Sequence, residues 1–145
     1  MRNRHDLDAP WWALRITFGL VPIVAGLDKF TNLLVDWKQY LNPFAERLLP
    51  VSASTFMMIV GVIEILAGIL VLSRWTRLGA YLVSAWLVTI ALDLVTAGRY
   101  LDVAVRDLVM AVGAFTLARL TEARAVATST LRPRVGAHGS IAAVS

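Results

Sequence analysis

Residues 51–72 form an apolar run whose one charge is Glu64. In a helix, roughly 20 residues at about 1.5 Å each cross the ~30 Å hydrocarbon core of a bilayer, so the run is long enough to span. An ionisable group in lipid costs at least roughly a few kcal/mol, so it turns toward protein or water and takes a partner or a task. Glu64 therefore requires a bundle with an interior and marks a candidate site inside it.

Three further runs, at 12–30, 78–97 and 101–120, have the same character, and the mean hydropathy of +0.68 reflects all four. They are continuous and rich in Leu, Val, Ile and Ala, without the alternation of barrel strands. The predicted fold is an all-α membrane protein, a four-transmembrane-helix up-down bundle with short connections, occupying residues 12–120. Residues 1–11 are expected to form a cytoplasmic segment and 121–145, rich in Ala, Ser, Thr and Arg, a disordered cytoplasmic tail. No cleavable leader is expected, and 12–30 is read as an uncleaved anchor. In the long connection 31–50, Leu33, Leu34, Trp37, Tyr40, Leu41, Phe44 and Leu48 recur at helical spacing. This predicts an amphipathic outer-face helix, bent or broken at Pro43 and ended at Pro50, acting as a cover or a lid.

A net charge of +4 would suggest nucleic acid in a soluble chain. Here the positive residues follow topology. Arg2, Arg4 and Arg15 flank the first run, Arg74 and Arg77 sit between the second and third, and Arg119, Arg124, Arg132 and Arg134 follow the fourth. Alternating spans place these on one side, which predicts cytoplasmic termini and no nucleic-acid partner. The chain has no cysteine, and its two histidines, His5 and His138, lie in the tails. Thiol exchange and thiolate-held clusters are excluded, no metal set is expected, and the bundle offers no imidazole to a haem. Electrons in any redox role must travel on an organic cofactor, a substrate or a partner.

Helical projection predicts the interior. Arg15, Gly19, Pro22, Gly26 and Lys29 share one side of the first span, and Ser54, Met57, Gly61, Glu64, Gly68 and Val71 one side of the second. Trp86, Thr89, Asp93 and Thr96 form a line on the third, and Asp107, Ala111, Ala114 and Ala118 one on the fourth. Small residues admit close helix packing and charges avoid lipid, so both pressures select these faces. Gly19, Gly26, Gly61 and Gly68 are packing positions. The polar interior is expected to hold Arg15, Lys29, Glu64, Asp93, Arg106 and Asp107, with Glu64 and Asp93 as candidate proton-handling groups. Arg15 is the expected counter-ion of Glu64, and Lys29 belongs to an outer group with Asp28, Asp93, Arg106 and Asp107. Arg106 and Asp107 point in different directions, so at most one of them shares the site of Lys29 or Asp93.

The strings LRITFG at 14–19, AGLDKF at 25–30 and GVIEILAGIL at 61–70, in that order and spacing, resemble the DoxX-like family of small four-helix membrane proteins. The resemblance covers about residues 12–120, with Ser73 standing where a glycine commonly follows the second span. It implies a bacterial or archaeal cytoplasmic membrane location and Arg15, Lys29 and Glu64 as motif residues. Some members are subunits of thiosulfate:quinone oxidoreductase and others accompany oxidative-stress proteins. The expected function is thus an accessory subunit of a quinone-linked redox or oxidative-stress system, not catalytic alone. Quinone is the cofactor in view, and the partners are the lipid bilayer, a redox protein or a second copy. The alternatives are a small proton-coupled transporter using Glu64 and a structural or assembly protein.

Overall fold

The computed structural model describes residues 4–48 and 50–130. Their helices are α1 (Arg4–Thr31), α2 (Pro43–Leu48), α3 (Ala53–Leu72), α4 (Thr76–Ala97) and α5 (Leu101–Thr130), with a single 3-10 turn at Trp37–Tyr40. Three segments are long and apolar enough to cross a membrane: Leu7–Thr31 of α1, α3 and α4. Helix α1 packs on α3 and α4 on α5; the two pairs meet chiefly through α3 and α4, and less through α1 and α5.

Local chemistry sets the boundaries. The Ser52 hydroxyl accepts the Thr55 amide at 3.2 Å and starts α3. Gly98, with φ 65°, ends α4 in the left-handed conformation that a side chain disfavours. Helix α1 begins at Arg4, earlier than the expected 12, and α5 runs on to Thr130, past the expected 120. The expected tail is therefore helical over 121–130, and its remainder lies outside the described residues. The first connection holds two short pieces, not one continuous amphipathic helix. The break comes before Pro43, which opens α2, since proline is well suited to a first helical turn.

The core is apolar, as in a water-soluble bundle, but so is the exterior. Phe18, Val71, Ala80, Val83, Ala114, Leu117 and Ala118 form the core, while Leu66, Val109 and Val112 are 60–68% exposed. An apolar girdle of this kind is suited to lipid. On α1, α3 and α5 most of each predicted stripe is buried, including Gly19, Gly26, Met57, Gly61, Glu64, Gly68, Asp107 and Ala111, with Phe18, Asp28, Val60, Ala104 and Leu117 buried beside it. On α4 the predicted line meets the interior at Trp86, whose indole donates to Glu64, but not at its threonines. The buried line is Ala80, Val83, Ala91 and Leu94, whereas Thr89 and Thr96 are exposed. Their hydroxyls donate to Ala85 O at 2.9 Å and Asp93 O at 2.8 Å, so they need no interior partner.

Candidate functional site

Two glycine pairs set the register of α1 against α3. A Cβ on Gly26 would lie 2.5 Å from the Gly61 carbonyl oxygen, and one on Gly61 would lie 2.7 Å from that of Gly26. Gly68 meets the Gly19 carbonyl in the same way. Only glycine permits backbones this close. The helices are antiparallel, so Lys29 sits about six residues from the level of Glu64, or about 9 Å along the axis. Side chains lean toward the start of their own helix. That of Lys29 leans back along α1, that of Glu64 leans toward the start of α3, and the two converge.

Lys29 Nζ donates to Glu64 Oε2 at 2.6 Å, with the two side chains 4% and 9% exposed. Trp86 Nε1–H of α4 donates to the other oxygen, Oε1, at a long 3.5 Å. On the loop side Lys29 Nζ lies 3.6 Å from the centre of the Trp37 ring, a cation–π contact. Asp107 of α5 is also buried, 9% exposed, and lies within electrostatic range of both Lys29 and Glu64. Among the described residues it makes no hydrogen bond. The site therefore draws a charge or ring from α1, α3, α4, α5 and the first connection.

Asp28 builds the cover. A carboxylate in the last turn of a helix opposes the macrodipole and must be stabilised by donors. The connection folds back to supply them: Leu33 and Leu34 amides donate to Oδ1 at 2.9 and 3.0 Å, and the Val35 amide to Oδ2 at 3.3 Å. Trp37 Nε1–H donates to Oδ2 at 2.7 Å, which fixes its ring over Lys29. Asn32, at φ 50°, makes the turn. Tyr40 stacks edge-on to Tyr100, with ring centres 4.7 Å apart, tying the connection to the turn between α4 and α5.

The predicted counter-ion is corrected. Arg15 does not meet Glu64; it lies level with the end of α3. Its Nε donates to Val71 O at 3.3 Å, and Nη2 donates to Leu72 O at 2.5 Å and Ser73 O at 2.8 Å. These are carbonyls left without helical partners, at the end of a dipole that favours a cation. Arg106 is exposed and Asp93 half-buried, so of the outer group Lys29 and Asp107 are brought to Glu64. Asp28, Trp37 and Trp86 complete the arrangement. The sequence alone places Asp28 only in the outer charge group; an Asp in a terminal helical turn, where the dipole disfavours it, is the signal that would single it out.

At the opposite end, Asp8 pairs with Arg124 at 2.6 Å, and Trp11 Nε1–H donates to Thr121 at 2.8 Å. Arg119 pairs with Glu122 at 2.7 Å. Together with Arg15 on Ser73, these contacts gather the start of α1, the α3–α4 turn and the later turns of α5 at one end of the bundle.

A helix bundle with an apolar exterior and charges in its interior defines a multi-pass membrane protein. The chain matches the DoxX family over residues 11–96 and belongs to it. The match covers most of α1, all of α3 and nearly all of α4, and so includes Lys29, Glu64, Trp37 and Trp86. Neither a curated protein nor a solved structure matches the chain.

Proposed function

We propose that the protein is an accessory, non-catalytic subunit of a bacterial or archaeal cytoplasmic membrane, serving a quinone-linked redox or oxidative-stress system. The observation that carries this reading is the closure of the interior charge on itself. Lys29 and Glu64 bind each other at 2.6 Å, under Trp37 and beside Trp86. A carboxylate that shuttles protons must meet water, whereas one held this way ties two helices together. The bundle brings no thiol or imidazole, so electrons belong to a partner or to quinone. In this reading α5 is the fourth span, with Val105, Val109 and Val112 toward lipid. The end carrying Arg15, Arg74, Arg77 and Arg124 faces the cytoplasm.

Mild-detergent purification of the chain from its native membrane tests the proposal. The expected result is a co-purifying quinone-linked oxidoreductase, with slower quinone reduction in membranes of a deletion strain. A chain that purifies alone, with quinone reduction unchanged by the deletion, overturns it.

One observation favours a second reading, a small proton-coupled transporter: Asp107, 9% exposed, lies beside the pair and makes no hydrogen bond among the described residues. That reading requires solute-dependent proton flux in proteoliposomes, abolished in both Glu64→Gln and Asp107→Asn. Flux that persists in Glu64→Gln excludes it.

A further inference from the structure

An open groove of about 610 Å³ lies at the end of the bundle away from the ion pair, between the start of α4 and the later part of α5. Arg74, Trp75, Arg77, Leu78, Tyr81 and Glu122 line it. Neither the Lys29–Glu64 site nor the proposed redox role uses it.

Its electrostatics are unbalanced. Glu122 is the one acid of the lining, and it is already engaged by Arg119 at 2.7 Å and by the Tyr81 hydroxyl at 3.1 Å. Arg77 reaches it only at 4.0 Å. Among the described residues Arg74 has no carboxylate within ion-pair distance; its guanidinium lies 6.0 Å from the Trp75 ring centre. Two exposed guanidiniums thus face the groove without a full counter-charge, and guanidinium is the side chain best matched to a phosphate.

The position selects the kind of phosphate. The groove opens where α3 and α4, both able to cross a membrane, turn into each other. Trp75 is half-exposed there, and tryptophan favours the headgroup level. Below it Leu78 and Leu82 stand one turn apart on α4, 46% and 49% exposed. Phe115 of α5, equally exposed, packs against Tyr81 with ring centres 5.9 Å apart. An apolar track therefore leads down from the cationic lining, as an acyl chain requires and a free anion does not. We propose that this groove is a binding site for an anionic phospholipid, whose phosphate lies between Arg74 and Arg77 and whose acyl chain follows Leu78, Leu82 and Phe115.

Native mass spectrometry of the full chain in mild detergent, with added cardiolipin, phosphatidylglycerol or phosphatidylcholine, tests the site. The anionic lipids are expected to be retained in preference to phosphatidylcholine. Retention should fall about fivefold in Arg74→Gln or Arg77→Gln and on the order of 25-fold in the double variant. Arg99→Gln, at the other end of the bundle, should leave it unchanged, and millimolar inorganic phosphate should not displace the lipid. Equal retention of phosphatidylcholine, undiminished retention by the double variant, or displacement by inorganic phosphate overturns the proposal. Should the double variant not accumulate, the melting temperature of the unaltered chain decides: cardiolipin should raise it and phosphatidylcholine should not. An equal response to both overturns the assignment.

Discussion

Substituting Lys29 by Met removes the ammonium 2.6 Å from Glu64 and leaves that carboxylate buried. Its remaining donor, Trp86 Nε1–H, is 3.5 Å away, at the outer limit of a hydrogen bond, and Asp107 adds a second carboxylate within electrostatic range. Removing one partner of a buried pair costs about 3–5 kcal/mol, and the poor residual contacts place Lys29→Met at the upper end. Glu64→Leu is milder. The ammonium left behind keeps the Trp37 ring at 3.6 Å, worth up to about 2 kcal/mol when desolvated. Its expected cost is therefore roughly 2–3 kcal/mol. The double variant removes both charges together and should lose only about 1 kcal/mol. Reversible unfolding of the purified protein in mixed micelles, followed by circular dichroism, measures all three. The sum of the single losses should exceed the double loss by at least about 2 kcal/mol. Additivity within about 0.5 kcal/mol, or a Glu64→Leu loss larger than that of Lys29→Met, would refute the pair as a tie between α1 and α3.

Gly61→Leu drives a side chain into the Gly26 carbonyl and Lys29, and should cost about 1–3 kcal/mol in the same unfolding assay; an unchanged midpoint contradicts the close approach of α1 and α3. Asp28→Asn weakens the acceptor that gathers the Leu33, Leu34 and Val35 amides, so hydrogen exchange over residues 32–40 should quicken while that of α4 stays unchanged. Equal protection in the variant would show that the connection is ordered by something else. Arg15→Gln removes the cation from the last carbonyls of α3 and should lower stability by about 1–2 kcal/mol, with faster exchange at residues 70–73. A loss below about 0.3 kcal/mol, with exchange unchanged, would count against that capping role.

Much of this architecture is written in periodicity. Small and charged residues repeat along one side of α1, α3 and α5, and those sides are the buried ones. Thr89 and Thr96 of the α4 line misled because a threonine hydroxyl returns its hydrogen bond to its own helix. Threonine polarity there carries no information about the interior; Trp86, which reaches Glu64, and the buried Ala80, Val83, Ala91 and Leu94 do. The partner of Glu64 was obscured for a geometric reason. Axial rise alone separates Lys29 from Glu64 by about 9 Å, and Arg15 from Glu64 by about 12 Å in the other direction, so neither stands level with it. The lean of side chains toward the start of each helix closes the first gap and widens the second. The cover over the pair depends on a fold-back within 32–37 that no helical period encodes. Its trace in the sequence is one acidic residue, Asp28, placed where a helix dipole disfavours it.

The most direct test of an accessory subunit whose buried pair is structural is the quinone-reduction rate in deletion-strain membranes complemented with the Lys29→Met/Glu64→Leu chain. The rate is normalised to the amount of chain present. A structural tie predicts a normalised rate within about twofold of that given by the unaltered chain, because the uncharged pair still packs α1 on α3. A normalised rate reduced to that of the uncomplemented deletion, with the double variant accumulating normally, would show that the charges themselves take part in the reaction.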